Sequence, residues 1–207
     1  MTLVEAGSKS EARDMRDTMV DTQVIKEAVQ LACRAPSLHN SQPWHWVAAG
    51  KVVDLFLDKE RVLYSTDHTG REAVIGCGAV LDHFRVAMAA AGWACHVDRY
   101  PNPNNSLHLA SIDFSPMEFV TEGHLRRADA IHLRRSDRLP YAEAPGWATA
   151  EEQLRRSVTS DAVRLDVIAD ELHAELAEAA QLTESLRLYD SSYHSALSWS
   201  TRPFEYT

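Results

Sequence analysis

Ala35-Pro36-Ser37-Leu38-His39-Asn40-Ser41-Gln42-Pro43-Trp44 is the stretch on which the reading of this chain turns. Two prolines bracket a run of hydroxyl and amide side chains, and a second tryptophan, Trp46, follows closely. Ser37, Asn40, Ser41 and Gln42, with the backbone N–H groups, can hydrogen-bond the polar edge of a planar heterocycle, while an aromatic ring packs nearby. The same composition also suits a rigid, proline-bounded connection whose Asn and Ser side chains satisfy their own backbone and whose tryptophans belong to the core.

Working outward, Val24, Ile25, Ala28, Val29, Leu31 and Ala32 recur at helical spacing. A helix therefore starts near Asp21 or Thr22 and stops at about Ala35, because Pro36 disfavours helix at the preceding residue. The aromatics after Pro43 lead into a strand, and Val52–Leu57 reads as another strand beyond the Gly50 turn. Ala73, Cys77, Val80, Leu81, Phe84, Met88 and Ala91 mark a second helix, with Thr69 and Glu72 as its capping box and Gly92 as its stop. Gly76 and Gly78 inside it each cost about 1 kcal/mol relative to alanine, which implies close approach of another helix or a ligand. The Asp82-His83 pair reads as part of its exposed face. Two further strands fit Ala94–Tyr100 and Leu107–Phe114, followed by a polar bend from Ser115 to Glu122. Later come a short helix opened by Thr149 and Glu152, a strand at Val163–Val167, and a long helix capped by Asp170. That helix either continues or breaks at Ser191-Ser192. The expected fold is α+β, a mostly antiparallel sheet flanked by helices, with the helices at about 22–35 and 70–91 packed together.

A second segment carries chemistry. In Arg134-Arg135-Ser136-Asp137-Arg138, alternate residues of an extended backbone point the same way, so Arg134, Ser136 and Arg138 can converge. Two guanidinium forks and a hydroxyl suit a phosphate. A solvated charged turn with Asp137 as internal partner is the other reading. The chain has 207 residues, with 21 Lys+Arg against 30 Asp+Glu, a net charge of −9, so a local basic group stands out and nucleic acid is an unfavourable partner. No run of 18 consecutive apolar residues occurs, and residues 1–20 read as a polar mobile tail without a signal-peptide core. No membrane partner and a cytoplasmic location are expected. Cys33, Cys77 and Cys95 form no C-x-x-C pair, and the ten histidines lack metal spacing; no metal or disulfide is expected. No G-x-G-x-x-G follows a strand and no G-x-S-x-G elbow is present, although composition leaves a Ser–His–Asp site open.

A phosphate cradle and a planar-ring cradle together specify a flavin mononucleotide site. The loop at 35–44 resembles the A-P-S-x-x-N-x-Q-P-W loop of the FMN-dependent nitroreductase family, and residues 134–138 resemble that family's R-R-S-x-R segment. The whole chain after the first 20 residues is most similar to the Acg-type, dormancy-associated subgroup. The resemblance implies that Arg134, Ser136 and Arg138 hold the FMN phosphate, while Pro36, Ser37, Leu38 and Asn40 meet the isoalloxazine. It implies hydride transfer from NAD(P)H through FMN to a nitroaromatic or quinone, with no side-chain acid or base required.

Ordinary members carry R-R-S-x-R ahead of the loop, and their homodimers build each FMN site from both subunits. Here the order is reversed, with the segment about a hundred residues later. That order implies a fused internal pseudo-dimer in a monomeric chain, with residues 21–122 as the first half, 123–207 as the start of a second, and one composite site. Two alternatives accompany the enzyme reading. One is a catalytically silent protein that stores or sequesters FMN, with Tyr193–Phe204 as a lid. The other is a structural protein without flavin.

Overall fold

The computed structural model describes residues 19–136, 142, 144–160 and 162–198. It divides into two compact units, one holding the described residues up to Arg135 together with 192–198, the other spanning 136–191.

In the first unit, helix α1 (Thr22–Ala32) begins where the Asp21 carboxylate accepts a hydrogen bond from the Gln23 N–H at 2.8 Å. Ile25, Ala28 and Ala32 form its buried stripe. It ends three residues before Ala35, and residues 33–35 close as single turns that deliver the chain to Pro36. Strands β1 (Trp44–Ala49), β2 (Val52–Leu57), β3 (Trp93–Arg99) and β4 (His108–Pro116) form one sheet in the order β1-β2-β4-β3, every pairing antiparallel. This bears out the expected α+β class with an antiparallel sheet.

Helix α2 (Arg71–Ala90) lies across the inner face of that sheet. Phe84, Val80 and Met88 are wholly buried among Val53, Leu55, Ala110 and Ile112. The Phe84 ring sits 4.9 Å from Trp46 and 6.0 Å from Phe114. By length and composition α2 could cross a membrane, yet eight of its residues are buried in this core, the position of a core helix. α1 and α2 pack together as expected. Two expectations about α2 are corrected. Its first residue is Arg71, after Gly70 in the left-handed region at φ 72°, so Thr69 and Glu72 make no capping box. The buried Asp67 carboxylate caps it instead, accepting from the Ala73 N–H at 2.9 Å. Gly76 lies under the Pro36–Ser37 loop, whereas an added Cβ on Gly78 would meet nothing within 4 Å.

After the expected bend, and before the basic cluster, comes a helix not expected from the sequence, α3 (Glu122–Leu133), packed against α2 and α1. Thr121 and His124 cap it reciprocally, and Ala128 and Ile131 are its buried residues. A histidine in place of the usual Glu or Gln hid this capping box from the sequence. Helix α4 (Trp147–Ser157) follows Gly146 at φ 72°, so Thr149 does not cap it. Helix α5 (His173–Leu186) is preceded by a short 3-10 turn at Asp170–Leu172, without a side-chain cap from Asp170. Val163–Val167 joins no ladder; a strand needs an edge to pair with, and the described part of this unit has none. No described residue of the second unit is buried. Helix α6 (Ser191–Ser198) starts at the expected break, and within the first unit it buries Ala196 while the Ser65 hydroxyl donates to the Ser192 carbonyl at 3.4 Å.

Candidate functional site

The loop after α1 is tightly wound. His39, Asn40 and Gln42 all have positive φ, at 46°, 59° and 49°. Side chains rarely take that region, and such residues concentrate at ligand clamps. The Ser37 hydroxyl accepts from the Gln42 N–H at 3.0 Å, and Gln42 Nε2 donates to Asn40 Oδ1 at 3.3 Å. Backbone bonds from Asn40 N–H to the Ser37 carbonyl and from Ser41 N–H to the Leu38 carbonyl close a 3-10 turn at Leu38–Asn40. The Pro43 carbonyl takes the Asp58 N–H at 3.1 Å and the Cys77 thiol at 3.2 Å, which fastens the end of the loop to β2 and α2. Below it, a methyl group on Gly76 would stand 3.6 Å from Ser37 Cβ. Pro36, Ser37, Leu38 and Asn40 therefore occupy one rigid turn. Trp44 is buried in the core and Trp46, half-buried, packs against it on Phe84.

The basic segment meets this loop through backbone carbonyls. One Arg134 guanidinium nitrogen donates to the Arg34 carbonyl at 2.5 Å, two residues before Pro36. In return Arg34 donates through Nε to the Ile131 carbonyl at 3.2 Å and through an Nη to the His132 carbonyl at 3.0 Å. Those carbonyls belong to the last turn of α3, where intrahelical donors run out and the dipole favours a cation. Arg135 donates to the His132 and Arg134 carbonyls at 2.7 and 2.8 Å. Of the remaining phosphate candidates, Ser136 is exposed and falls in the second unit, and Arg138 lies outside the described residues.

Arg34 is not singled out by the sequence, which reads His83 as part of an exposed face. An arginine just beyond a helix end, next to a proline loop, was the only available signal for Arg34. His83 does not share the exposed face with Asp82, as expected from the sequence; Asp82 pairs there with Arg85 at 3.7 Å, while His83 turns inward with Nδ1 buried and unpartnered. Burial, then the Arg134 charge, push its pKa down.

Two other features bear on function. Gly78 opens onto a cavity of about 570 Å³ between α2 and β3, lined by Cys77, Leu81, Cys95 and Val97. Burial pushes the Cys77 thiol up to about 12 and Cys95 up to about 11, so neither is a nucleophile near neutrality. On the sheet, Asp54 Oδ1 accepts from Ser111 Oγ at 2.5 Å and lies 3.0 Å from His108 Nε2, and the His108 ring stacks on Phe56 at 4.3 Å. This Ser–His–Asp grouping has the wrong arrangement for a hydrolase. Ser111 Oγ also lies 3.1 Å from His108 Nε2, so serine and carboxylate meet the same ring nitrogen, whereas catalysis requires the serine on Nε2 and the carboxylate on Nδ1.

The hydroxyl, amide and N–H groups of the Pro36–Gln42 turn suit the polar edge of a planar ring such as a flavin's. The ring-edge donors sit in one strained turn, and a guanidinium of the phosphate segment is anchored at that turn's base, 100 residues away in sequence.

No family model matches the sequence. The Mycobacterium tuberculosis protein "Putative NAD(P)H nitroreductase acg" is 71% identical over 191 residues, covering 92% of this chain and 58% of that protein. "Putative NAD(P)H nitroreductase Rv3131" from the same species is 35% identical over 161 residues, covering 77% of this chain and 46% of that protein. The chain thus spans about half the length of these curated relatives. Among solved structures, a nitroreductase family protein from Streptococcus pneumoniae TIGR4 superposes with a TM-score of 0.39 and 17% identity, covering 60% of this chain and 88% of that one, too distant to carry an argument.

Proposed function

Because this chain belongs to the Acg-type nitroreductase family, we propose that it is an FMN-binding, NAD(P)H-dependent oxidoreductase of nitro compounds or quinones. The observation that carries this reading is the Arg134 bond to the Arg34 carbonyl. It joins the two segments whose resemblance to nitroreductase motifs had to concern a single flavin. In this reading Pro36, Ser37, Leu38 and Asn40 meet the isoalloxazine edge, and Arg134, Ser136 and Arg138 hold the phosphate. Bound flavin would accept hydride and pass it on. The chain's own residues bind and orient it: the wound loop presents fixed donors, and the guanidinium groups place positive charge where the phosphate binds. No side-chain acid or base is assigned. Division near residue 122 into two nitroreductase-like halves, one flavin per chain, a monomeric state and a cytoplasmic location belong to the same proposal.

A second reading, an FMN-sequestering protein, draws on α6. The expected lid spans Tyr193–Phe204; residues 193–198 belong to the unit that carries the loop, with Ala196 buried, and 199–204 lie outside the described residues.

Anaerobic titration of the purified whole protein separates the readings. A yellow protein with one FMN per chain that NADPH bleaches is the enzyme. A yellow protein that NADPH leaves unchanged is the sequestering form, and a colourless protein that ignores added FMN removes both.

A further inference from the structure

The reciprocal arginine contact carries more than proximity. The Pro36–Gln42 turn has its own fastenings: the Ser37 hydroxyl, the backbone bonds of the 3-10 turn, and the ties from Pro43 to Asp58 and Cys77. None of these touches the segment at 134–136. Within the first unit, two guanidinium groups hydrogen-bond the end of α3 to the chain at residue 34. Arg34 grips the Ile131 and His132 carbonyls, and Arg134 grips the Arg34 carbonyl.

We propose that Arg34 is a positioning residue for the flavin site. It touches neither end of the cofactor. It fixes the distance between the turn that reads the ring and the segment that reads the phosphate. Nε and Nη of one planar fork bind two successive carbonyls, and that two-point grip sets the orientation as well as the position of the helix end. A lysine keeps the charge but places a single ammonium there, so it restores the attraction without the orientation. The inference rests on the flavin reading above.

The consequence is specific. Loss of Arg34 leaves the ring turn intact but lets the phosphate segment drift. Binding of a flavin that needs both ends suffers; binding of one that uses only the ring does not. The test uses the whole protein, with FMN and riboflavin as probes, because riboflavin lacks the phosphate. Dissociation constants come from quenching of flavin fluorescence for the wild type, Arg34→Gln and Arg34→Lys. Arg34→Gln is expected to weaken FMN about tenfold or more, the scale of one lost charge-assisted hydrogen bond, while riboflavin weakens less than about threefold. Arg34→Lys is expected to fall between, and it supplies the same comparison if Arg34→Gln does not fold. Equal weakening of both flavins would overturn the proposal, since that is general loosening, and so would no change in either. Wild-type protein that binds neither flavin would remove the flavin reading itself, and this inference with it.

Discussion

Arg134 holds the backbone of Arg34, and Arg34 holds the turn just before Arg134: the Arg134 guanidinium lies 2.5 Å from the Arg34 carbonyl, and Arg34 reaches the carbonyls of Ile131 and His132. Two like charges tolerate each other here because each faces carbonyl oxygens, and α3 ends with its negative dipole pole at that point. Arg134→Ala is expected to cost about 1–2 kcal/mol, since a part-buried carbonyl loses a charged donor. Arg135, whose two carbonyl bonds are exposed, should cost less than about 0.5 kcal/mol when replaced by alanine. Urea unfolding of the two variants checks the contrast.

Asp67 and Thr69 make a second contrast. Asp67→Ala removes the buried cap on the Ala73 N–H and is expected to cost about 1–2 kcal/mol. Thr69, whose hydroxyl is 3.4 Å from the Arg71 N–H, should be nearly silent as alanine. If the Thr69 variant proves the weaker protein in thermal melts, the cap is assigned to the wrong residue.

The α2 glycines differ in what surrounds them. Gly78→Ala adds a methyl group to open space and should stabilise the helix by up to about 1 kcal/mol. Gly76→Ala makes an ordinary contact with Ser37 and should be tolerated, while Gly76→Leu should displace the loop and weaken FMN binding more than Gly78→Leu does. Melting temperatures and flavin titrations report both.

His83 gives a pH dependence of known sign. Burial, and then Arg134, depress its pKa in the folded state, so the unfolded chain binds the proton more readily. Its effect on stability is absent above the unfolded value of about 6.5 and grows as pH falls below it, until the folded-state value is reached. His83→Gln should therefore lose less stability than the wild type between pH 7 and pH 5. Urea midpoints at several pH values decide it; parallel curves would refute the assignment.

The thiols should be sluggish. With Cys77 and Cys95 pushed up to about 12 and about 11, alkylation by iodoacetamide at pH 8 should run on the order of a hundredfold slower than for an exposed cysteine. Mass spectrometry of native and urea-unfolded protein should show the difference vanish on unfolding.

Much of the first unit was legible because its signals are local. The buried stripe of α1, the apolar run of β2 and the long face of α2 follow from periodicity, and Gly92 marks the end of α2. What escaped depends on partners distant in sequence or unusual in chemistry. The caps of α2 and α3 use Asp67 and His124 where the pattern favours other residues. Val163–Val167 alternates like a strand, but alternation describes two faces and cannot supply a neighbour. For the site, the motifs at 36–40 and 134–138 stood out by residue type. The link through Arg34 did not, because a carbonyl acceptor has no sequence signature.

The 100-residue separation of the arginine contact also orders events during synthesis. At about 5–20 residues per second, a ribosome needs about 5–20 s to travel from one arginine codon to the other. During that interval α1 and the Pro36–Gln42 turn exist without their anchor. The nascent turn must wait, held by its own bonds and by its ties to Asp58 and Cys77, until Arg134 has been added.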